Sequence, residues 1–248
     1  MKYSILTYLM GDYDCLHELP KNLIVNKNIE YICVTDNKDI KSDTWKIVYD
    51  KELDSKKYNG FDKTFLVRYN PFKYCSNNIC VRMDASFSIN EPLDELINAF
   101  IKGGYEMALN IHPTNTTIDK ELEDWELYRS ENQKEIQLNY IHDVIGYDTS
   151  KQGLVQIGFN ILKKNELTDK INQDMLHILE DCTPNKGHLN RIDQTLFSAL
   201  IQERYKDLNL MFISSNFFSK GKVSHYYHNS QYKTNQKHCL NGYIFFNI

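Results

Sequence analysis

Short apolar runs alternate with amphipathic stretches of helix length along most of this chain, the pattern of an α/β protein with a mixed, mostly parallel sheet flanked by helices. Residues 4–10 form an apolar run of strand length, and Gly11-Asp12-Tyr13-Asp14 follows as a loop. Residues 30–35 read as a second strand ending at Asp36-Asn37, and residues 45–48 as a short third. Residues 62–74 place Phe65, Leu66, Tyr69 and Phe72 near helical spacing; Asn70-Pro71 should break that helix, because the residue before a proline is pushed out of the helical region. Residues 78–83 are another buried strand, running straight into Asp84.

The clearest helix spans residues 92–102. Pro92 falls near its start, and Leu93, Leu96, Ile97, Phe100 and Ile101 make one apolar stripe. Gly103-Gly104 should close it with a left-handed residue. Residues 107–111 read as a strand. Residues 121–142 read as mostly helical, with a polar break near residues 130–132 and a stop at Gly146. Residues 154–162 read as a strand and residues 167–179 as an amphipathic helix. A further helix begins near Asp193, residues 208–213 form a last core strand, and from residue 219 the chain is a polar and aromatic tail. The expected organisation is one domain over 1–218, with 219–248 as a tail that completes an active site.

Composition narrows the function classes. The 248 residues carry a formal net charge of -4, which argues against a nucleic-acid binder, since those show a basic excess. No apolar run is long enough to span a bilayer as a helix, and peripheral attachment to a membrane stays compatible with the sequence. The first ten residues have no cleavage site for a signal peptide. None of the six cysteines forms a CxxC pair, and Cys33 and Cys80 sit inside apolar runs, so they read as reduced thiols of a cytoplasmic protein.

Candidate chemistry begins at strand ends, where open α/β sheets bind ligands. Asp36 and Asp84 both stand there. On pattern alone Asp36 reads as a turn acid and Asp84 equally as a turn acid or as a ligand for a hard cation bridging a diphosphate. Lys63 and Arg68, on the helix before the core strand, are suited to face that diphosphate or to be solvated. His112, ahead of Pro113 at a strand end, and Glu121 are candidates for binding an acceptor. Asp193-Gln194 opens a helix, where Asp commonly caps.

The run Tyr31-Ile-Cys-Val-Thr-Asp-Asn37, then Trp45-Lys-Ile-Val48, Lys63 and Val81-Arg-Met-Asp-Ala-Ser86, resembles the TOD1/MUCI70-like glycosyltransferase-like family (formerly DUF616). The likeness continues through Ala108–Pro113, Glu121, Gln137, Tyr140 and Gly146 to Ile192-Asp-Gln194. The resemblance implies a GT-A fold and transfer of a sugar from a nucleoside-diphosphate sugar such as a UDP-sugar, to a glycan or lipid-linked acceptor. It implies Thr35 and Asp36 near the base or ribose, and Asp84 where the fold's DxD motif binds Mn²⁺ or Mg²⁺. The second acid of that motif is missing, because Ala85-Ser86 follows; Ser86 or a water would take its place. Asp193-Gln194 resembles the Asp-Gln pair of retaining enzymes, in which the Asp holds donor hydroxyls and the Gln lies near the anomeric carbon. His225-Tyr-Tyr-His228 and Lys233 resemble a C-terminal metal ligand, here His228, with a diphosphate lysine. Two other functions fit the α/β layout: a nucleotidyltransferase, disfavoured by the lack of a Gly-rich phosphate loop, and a non-catalytic carbohydrate-binding protein.

Overall fold

The computed structural model describes residues 1–11, 15–54, 60–124, 131–182, 193–213, 217–218 and 221–225. Its main sheet has seven strands in the order β3-β2-β1-β4-β7-β6-β8. These are β1 (Tyr3–Leu9), β2 (Ile29–Thr35), β3 (Lys46–Tyr49), β4 (Ile79–Met83), β6 (Met107–Ile111), β7 (Val155–Lys163) and β8 (Leu210–Ile213). β7 runs against both its neighbours, and all other pairings are parallel. The mixed, mostly parallel α/β sheet is the one expected from the pattern. A second, two-stranded sheet joins β5 (Phe87–Ile89) to β9 (Val223–His225). It docks the start of the polar tail just beyond Asp84, with the Asn90 amide donating to the Lys222 carbonyl at 2.9 Å.

Period-two alternation explains which side chains face which layer. Tyr3, Ile5 and Leu9 of β1 pack with Ile97 and Phe100 of α2 (Asp94–Lys102). Leu6, Tyr8 and Met10 point the other way, toward Val67 of α1 (Gly60–Arg68). Every residue of β1 is therefore buried, as in a strand covered on both faces. The same parity on β4 sends Ile79, Val81 and Met83 into the α2 layer. It leaves Cys80, Arg82 and the following Asp84 for the α1 side.

The helix of residues 62–74 is cut where proline demands: α1 ends at Arg68, and Pro71–Lys73 is one 3₁₀ turn. α2 is closed by Gly104, the left-handed residue (φ 67°), while Gly103 keeps a right-handed conformation. The stretch 121–142 becomes α3 (Ile118–Asp124) and α4 (Glu131–Asn139); α4 runs on into a π turn at Tyr140–Ile145, stopped by Gly146 at φ 83°. The expected break at residues 130–132 thus falls partly on a helix that has resumed at Glu131. α5 (Glu166–Asp181) opens with a capping box between Asn165 and Thr168. α6 spans Asp193–Arg204. Its Leu196, Phe197 and Leu200 join Ile141, Met175 and Leu179 in the core on the α1 side of the sheet.

Among the described residues no helix is long and apolar enough to cross a membrane. Cys33, Cys75, Cys80 and Cys182 are free and buried, and burial pushes the Cys33 thiol up to about 12. Cys15 is disulfide-bonded, whereas Cys33 and Cys80, the two thiols expected to be reduced, are free.

Candidate active site

The strand order turns at β1. β2 lies on one side of it and β4 on the other, so the carboxyl ends of β1 and β4 flank a switch point, where such sheets open a crevice. Asp36 follows β2 there and Asp84 follows β4. α1 leads into β4 and supplies a cation to each acid.

On the β2 side, Lys63 Nζ donates to Asp36 Oδ2 at 2.8 Å, and the Gly11 amide donates to Asp36 Oδ1 at 2.9 Å. Thr35 is buried, and its hydroxyl accepts from the Asn37 amide at 3.1 Å. An open depression of about 400 Å³ lies against this corner, lined by Gly11, Asp36, Asn37, Lys38, Tyr49 and Asp54. The Tyr49 ring is half exposed, its hydroxyl donating to Asp54 Oδ2 at 2.6 Å.

On the β4 side the same helix brings Arg68 into a web spanning four elements. Its Nη2 donates to Asp84 Oδ1 at 2.6 Å, its Nη1 donates to Asp193 Oδ2, and its Nε donates to the Tyr8 hydroxyl at 2.7 Å. The Tyr8 hydroxyl in turn donates to Asp84 Oδ1, and the Tyr69 hydroxyl donates to Asp193 Oδ2 at 3.0 Å. Burial alone would lower the pKa of the Arg68 guanidinium; the carboxylates of Asp193 and Asp84 reverse that and hold it well above its ordinary value. Burial, with the Asp84 and Asp193 charges adding to it, pushes the Tyr8 and Tyr69 hydroxyls up, so both stay protonated donors. Asp193, which as a helix-opening residue reads as a cap, turns its carboxylate to Arg68 and Tyr69 instead.

Behind this web lies Arg82, the largest fully buried side chain. Its Nε donates to Asn160 Oδ1 at 3.0 Å, its Nη1 donates to the Arg68 carbonyl, and its guanidinium stacks 5.3 Å from the centre of the Tyr69 ring. Nη2 has no partner among the described residues, and burial lowers the pKa of this guanidinium. Arg82 thus holds the end of α1 that carries Arg68 and the ring whose hydroxyl holds Asp193.

The network continues from Asp193 to the next residue. Gln194 Nε2 donates to Glu121 Oε1 at 3.0 Å, and Asn115 Nδ2 donates to Glu121 Oε2 at 2.7 Å. His112 Nε2 stands 3.7 Å from the same Oε2, while its Nδ1 accepts the Asn115 amide at 2.9 Å. Six residues singled out in the sequence, Arg68, Asp84, His112, Glu121, Asp193 and Gln194, are therefore joined into one network. Thr35, Asp36 and Lys63 form the neighbouring cluster. Four further members were not singled out: Tyr8, Tyr69, Arg82 and Asn115. Two of them had a local signal: Tyr8 puts a polar tip near the carboxyl end of β1, and Arg82 interrupts the apolar run of β4.

Of the three expected metal ligands, Asp84 has Oδ1 engaged by Arg68 and Tyr8. Ser86 is buried, and its hydroxyl has no partner among the described residues. His228, like Lys233, lies outside the described residues. Asp84 Oδ2 faces Gly158, close enough that a Cβ on this glycine would stand 3.1 Å from it. Among the described residues no three His, Cys, Asp or Glu side chains are grouped to hold a metal ion. These donors alone do not fit a resident divalent cation.

What fold and site define together is an α/β protein whose polar centre sits at the sheet's switch point. No family model matches the chain, and no curated protein matches it, so the resemblance in the ordered motifs stands on those motifs alone. Among solved structures, mouse xyloside xylosyltransferase 1 in its apo form is similar over 86% of this chain and 85% of its own, at 10% identity and a TM-score of 0.45. The galactosyltransferase LgtC, in complex with donor and acceptor sugar analogs, is similar over 86% of this chain and 73% of its own, also at 10% identity and 0.45.

Proposed function

We propose that this chain is a GT-A-type glycosyltransferase that moves a sugar from a nucleoside-diphosphate sugar, a UDP-sugar in the first instance, to a hydroxyl of a glycan or lipid-linked acceptor. The observation that carries the reading is the Arg68 bridge between Asp84 and Asp193. It puts a fixed cation and two carboxylates from three elements at the switch-point crevice. Such a cluster suits a polyhydroxylated ligand with an anionic leaving group: carboxylates accept from sugar hydroxyls, and a guanidinium meets a developing phosphate charge. Lys63 and Arg68 are five residues apart, about 7.5 Å along α1. That span suits a nucleoside at the Asp36 depression and its diphosphate running toward Asp84. The acceptor belongs on the His112–Glu121 side.

Lys63, Arg68 and Arg82 stand among four acids, Asp36, Asp84, Glu121 and Asp193, so the site carries no surplus of positive charge. A diphosphate entering it therefore calls for added positive charge, and the described donors do not hold a divalent cation by themselves. The reading expects Mn²⁺ or Mg²⁺ to be taken up together with the nucleotide and not before it.

A thermal-shift screen of UDP- and GDP-sugars, with Mn²⁺ or with EDTA, tests both statements. A ligand at 100 times its Kd stabilises the folded protein by about 2.7 kcal/mol. Stabilisation should appear with nucleotide sugar and metal together and not with metal alone. Release of nucleoside diphosphate from the stabilising donor marks a transferase. Pyrophosphate exchange instead would make the chain a nucleotidyltransferase, and sugar binding without either activity a carbohydrate-binding protein.

A further inference from the structure

The buried carboxylate of Glu121 dictates which end of the Gln194 amide faces outward. Glu121 is 5% exposed. It receives N–H groups from two amides, Gln194 Nε2 on Oε1 and Asn115 Nδ2 on Oε2. The imidazole beside it is fixed as well. His112 Nδ1 accepts the Asn115 amide, so in the neutral ring the proton sits on Nε2, the nitrogen facing Glu121. An ionised carboxylate only accepts hydrogen bonds, whereas an amide has a donor end and an acceptor end. Flipping Gln194 would set its carbonyl oxygen against Glu121 Oε1, two acceptors at hydrogen-bond distance. The NH₂ end is thus held inward and the carbonyl oxygen is turned away from Glu121. The Gln194 backbone is pinned too: Ser198 Oγ donates to its carbonyl at 2.7 Å, and the preceding Asp193 is held by Arg68 and Tyr69.

We infer that Glu121 is a positioning residue that orients the Gln194 amide with its carbonyl oxygen toward the bound ligand, so that the group met there is a sugar hydroxyl or an electron-poor sugar carbon and not a phosphate oxygen. The inference rests on the glycosyltransferase reading and narrows it. A carbonyl oxygen attracts an O–H or a carbon gaining positive charge, and repels the oxygens of a diphosphate. The sugar therefore lies on the Gln194 side of Arg68, with the diphosphate on the Lys63 side. It also moves Glu121 from acceptor binding to the support of Gln194.

Two variants and one spectroscopic measurement test this. In Glu121→Gln the partner can donate as well as accept, so Gln194 is free to flip. Turnover with the stabilising donor should fall about 100-fold, the scale of a misplaced reacting group, with the donor KM little changed. In the exchanged pair Glu121→Gln/Gln194→Glu, the amide at 121 again donates inward and a carboxylate oxygen again faces the ligand. Turnover should recover about tenfold over Glu121→Gln, as one restored hydrogen-bonded orientation allows. A merely structural Glu121 would lower melting temperature and turnover together and gain nothing from the exchange. Wild-type turnover in Glu121→Gln, or no recovery in an exchanged pair that melts like wild type, overturns the inference. The amide itself is read by ¹⁵N NMR, assigned by its loss in Gln194→Ala. One Nε2 proton should be shifted downfield and slow to exchange in the wild type, and neither in Glu121→Gln. If no nucleotide sugar is turned over, the glycosyltransferase reading fails while this signal still reports the orientation. An unshifted, fast-exchanging signal in the wild type overturns the orientation itself.

Discussion

Asp36 and Asp84 invite comparison because the sequence presents them alike: each follows a buried strand, and each meets a cation from α1. Their surroundings separate them. Asp36 holds one lysine and one backbone amide, and it borders an open depression. Asp84 shares its cation with Asp193, a carboxylate 125 positions from Arg68 in the chain, and both Asp84 and Arg68 also bond the Tyr8 hydroxyl. The first arrangement is a pair, whose loss is felt locally. The second is a joint at which α1, β1, β4 and α6 meet, so removing one group strands several others. Charged groups with shared partners deviate most from additivity, and the two sites should therefore respond very differently to equally simple substitutions.

The largest effect is expected at the shared cation. Arg68→Met leaves Asp84 and Asp193 facing each other across an apolar side chain. Breaking a buried pair by removing one partner costs about 3–5 kcal/mol, because the remaining charge is left uncompensated. Urea unfolding should show a loss of that size, and the response to nucleotide sugar should vanish. Arg68→Lys should recover little of either. An ammonium is a point charge and cannot reach Asp84, Asp193 and the Tyr8 hydroxyl from one planar group. A lysine variant with wild-type stability would show that the joint is looser than its geometry indicates.

A smaller effect is expected where the backbone leaves room for Asp84. Gly158 lies opposite on β7, its carbonyl accepting the Asp84 amide at 2.8 Å. A Cβ there would stand 2.9 Å from Phe87 Cε2 and 3.1 Å from Asp84 Oδ2. Gly158→Ala must therefore displace either a ring packed against Phe159 and Phe218 or the carboxylate. Overpacking of this kind costs about 1–3 kcal/mol. The carboxylate is the more mobile of the two, so ligand-induced stabilisation should fall by more than the melting temperature does. Unchanged stabilisation by the nucleotide sugar would place the ligand away from Asp84.

These contrasts also mark what was legible in the sequence. Strands buried on both faces appear as apolar runs: the expected 4–10 is Tyr3–Leu9 displaced by one residue, and the expected 30–35 lacks only the first residue of Ile29–Thr35. The short β5 and β9 were missed. Each has three residues, and they form by pairing with one another across more than 130 positions, a nonlocal contact that leaves no local period. The residue types of the site were legible because acids at strand ends and an Asp-Gln opening a helix are local features. Their partners were not, because Arg68 meets Asp193, and Glu121 meets Gln194, only once the sheet has assembled. Arg82 was the least legible in its role. It stands among Ile79, Cys80, Val81 and Met83 as an interruption, and its purpose shows only in what it holds, the Arg68 carbonyl and the Tyr69 ring.

The smallest effect on stability belongs to Asp36, and it sharpens the comparison most. Asp36→Asn keeps an acceptor for the Gly11 amide and removes only the charge opposite Lys63. Both side chains are 11% exposed, but the contact is a single pair whose acid borders the open depression, so the loss should stay near the top of the range for simple pairs, about 1 kcal/mol. Nucleotide affinity is a different matter, since a carboxylate accepting from a ribose hydroxyl makes a charge-assisted hydrogen bond that an amide replaces poorly. A loss of about 1.4 kcal/mol of binding is tenfold in Kd, and titration calorimetry with the free nucleoside diphosphate should resolve it. The expected pattern is thus opposite to that of Arg68: little change in unfolding and a clear change in binding. An Asp36→Asn protein that binds nucleotide like wild type would remove this corner from the ligand site, while a variant that unfolds readily would make Asp36 a structural acid of the β2 turn.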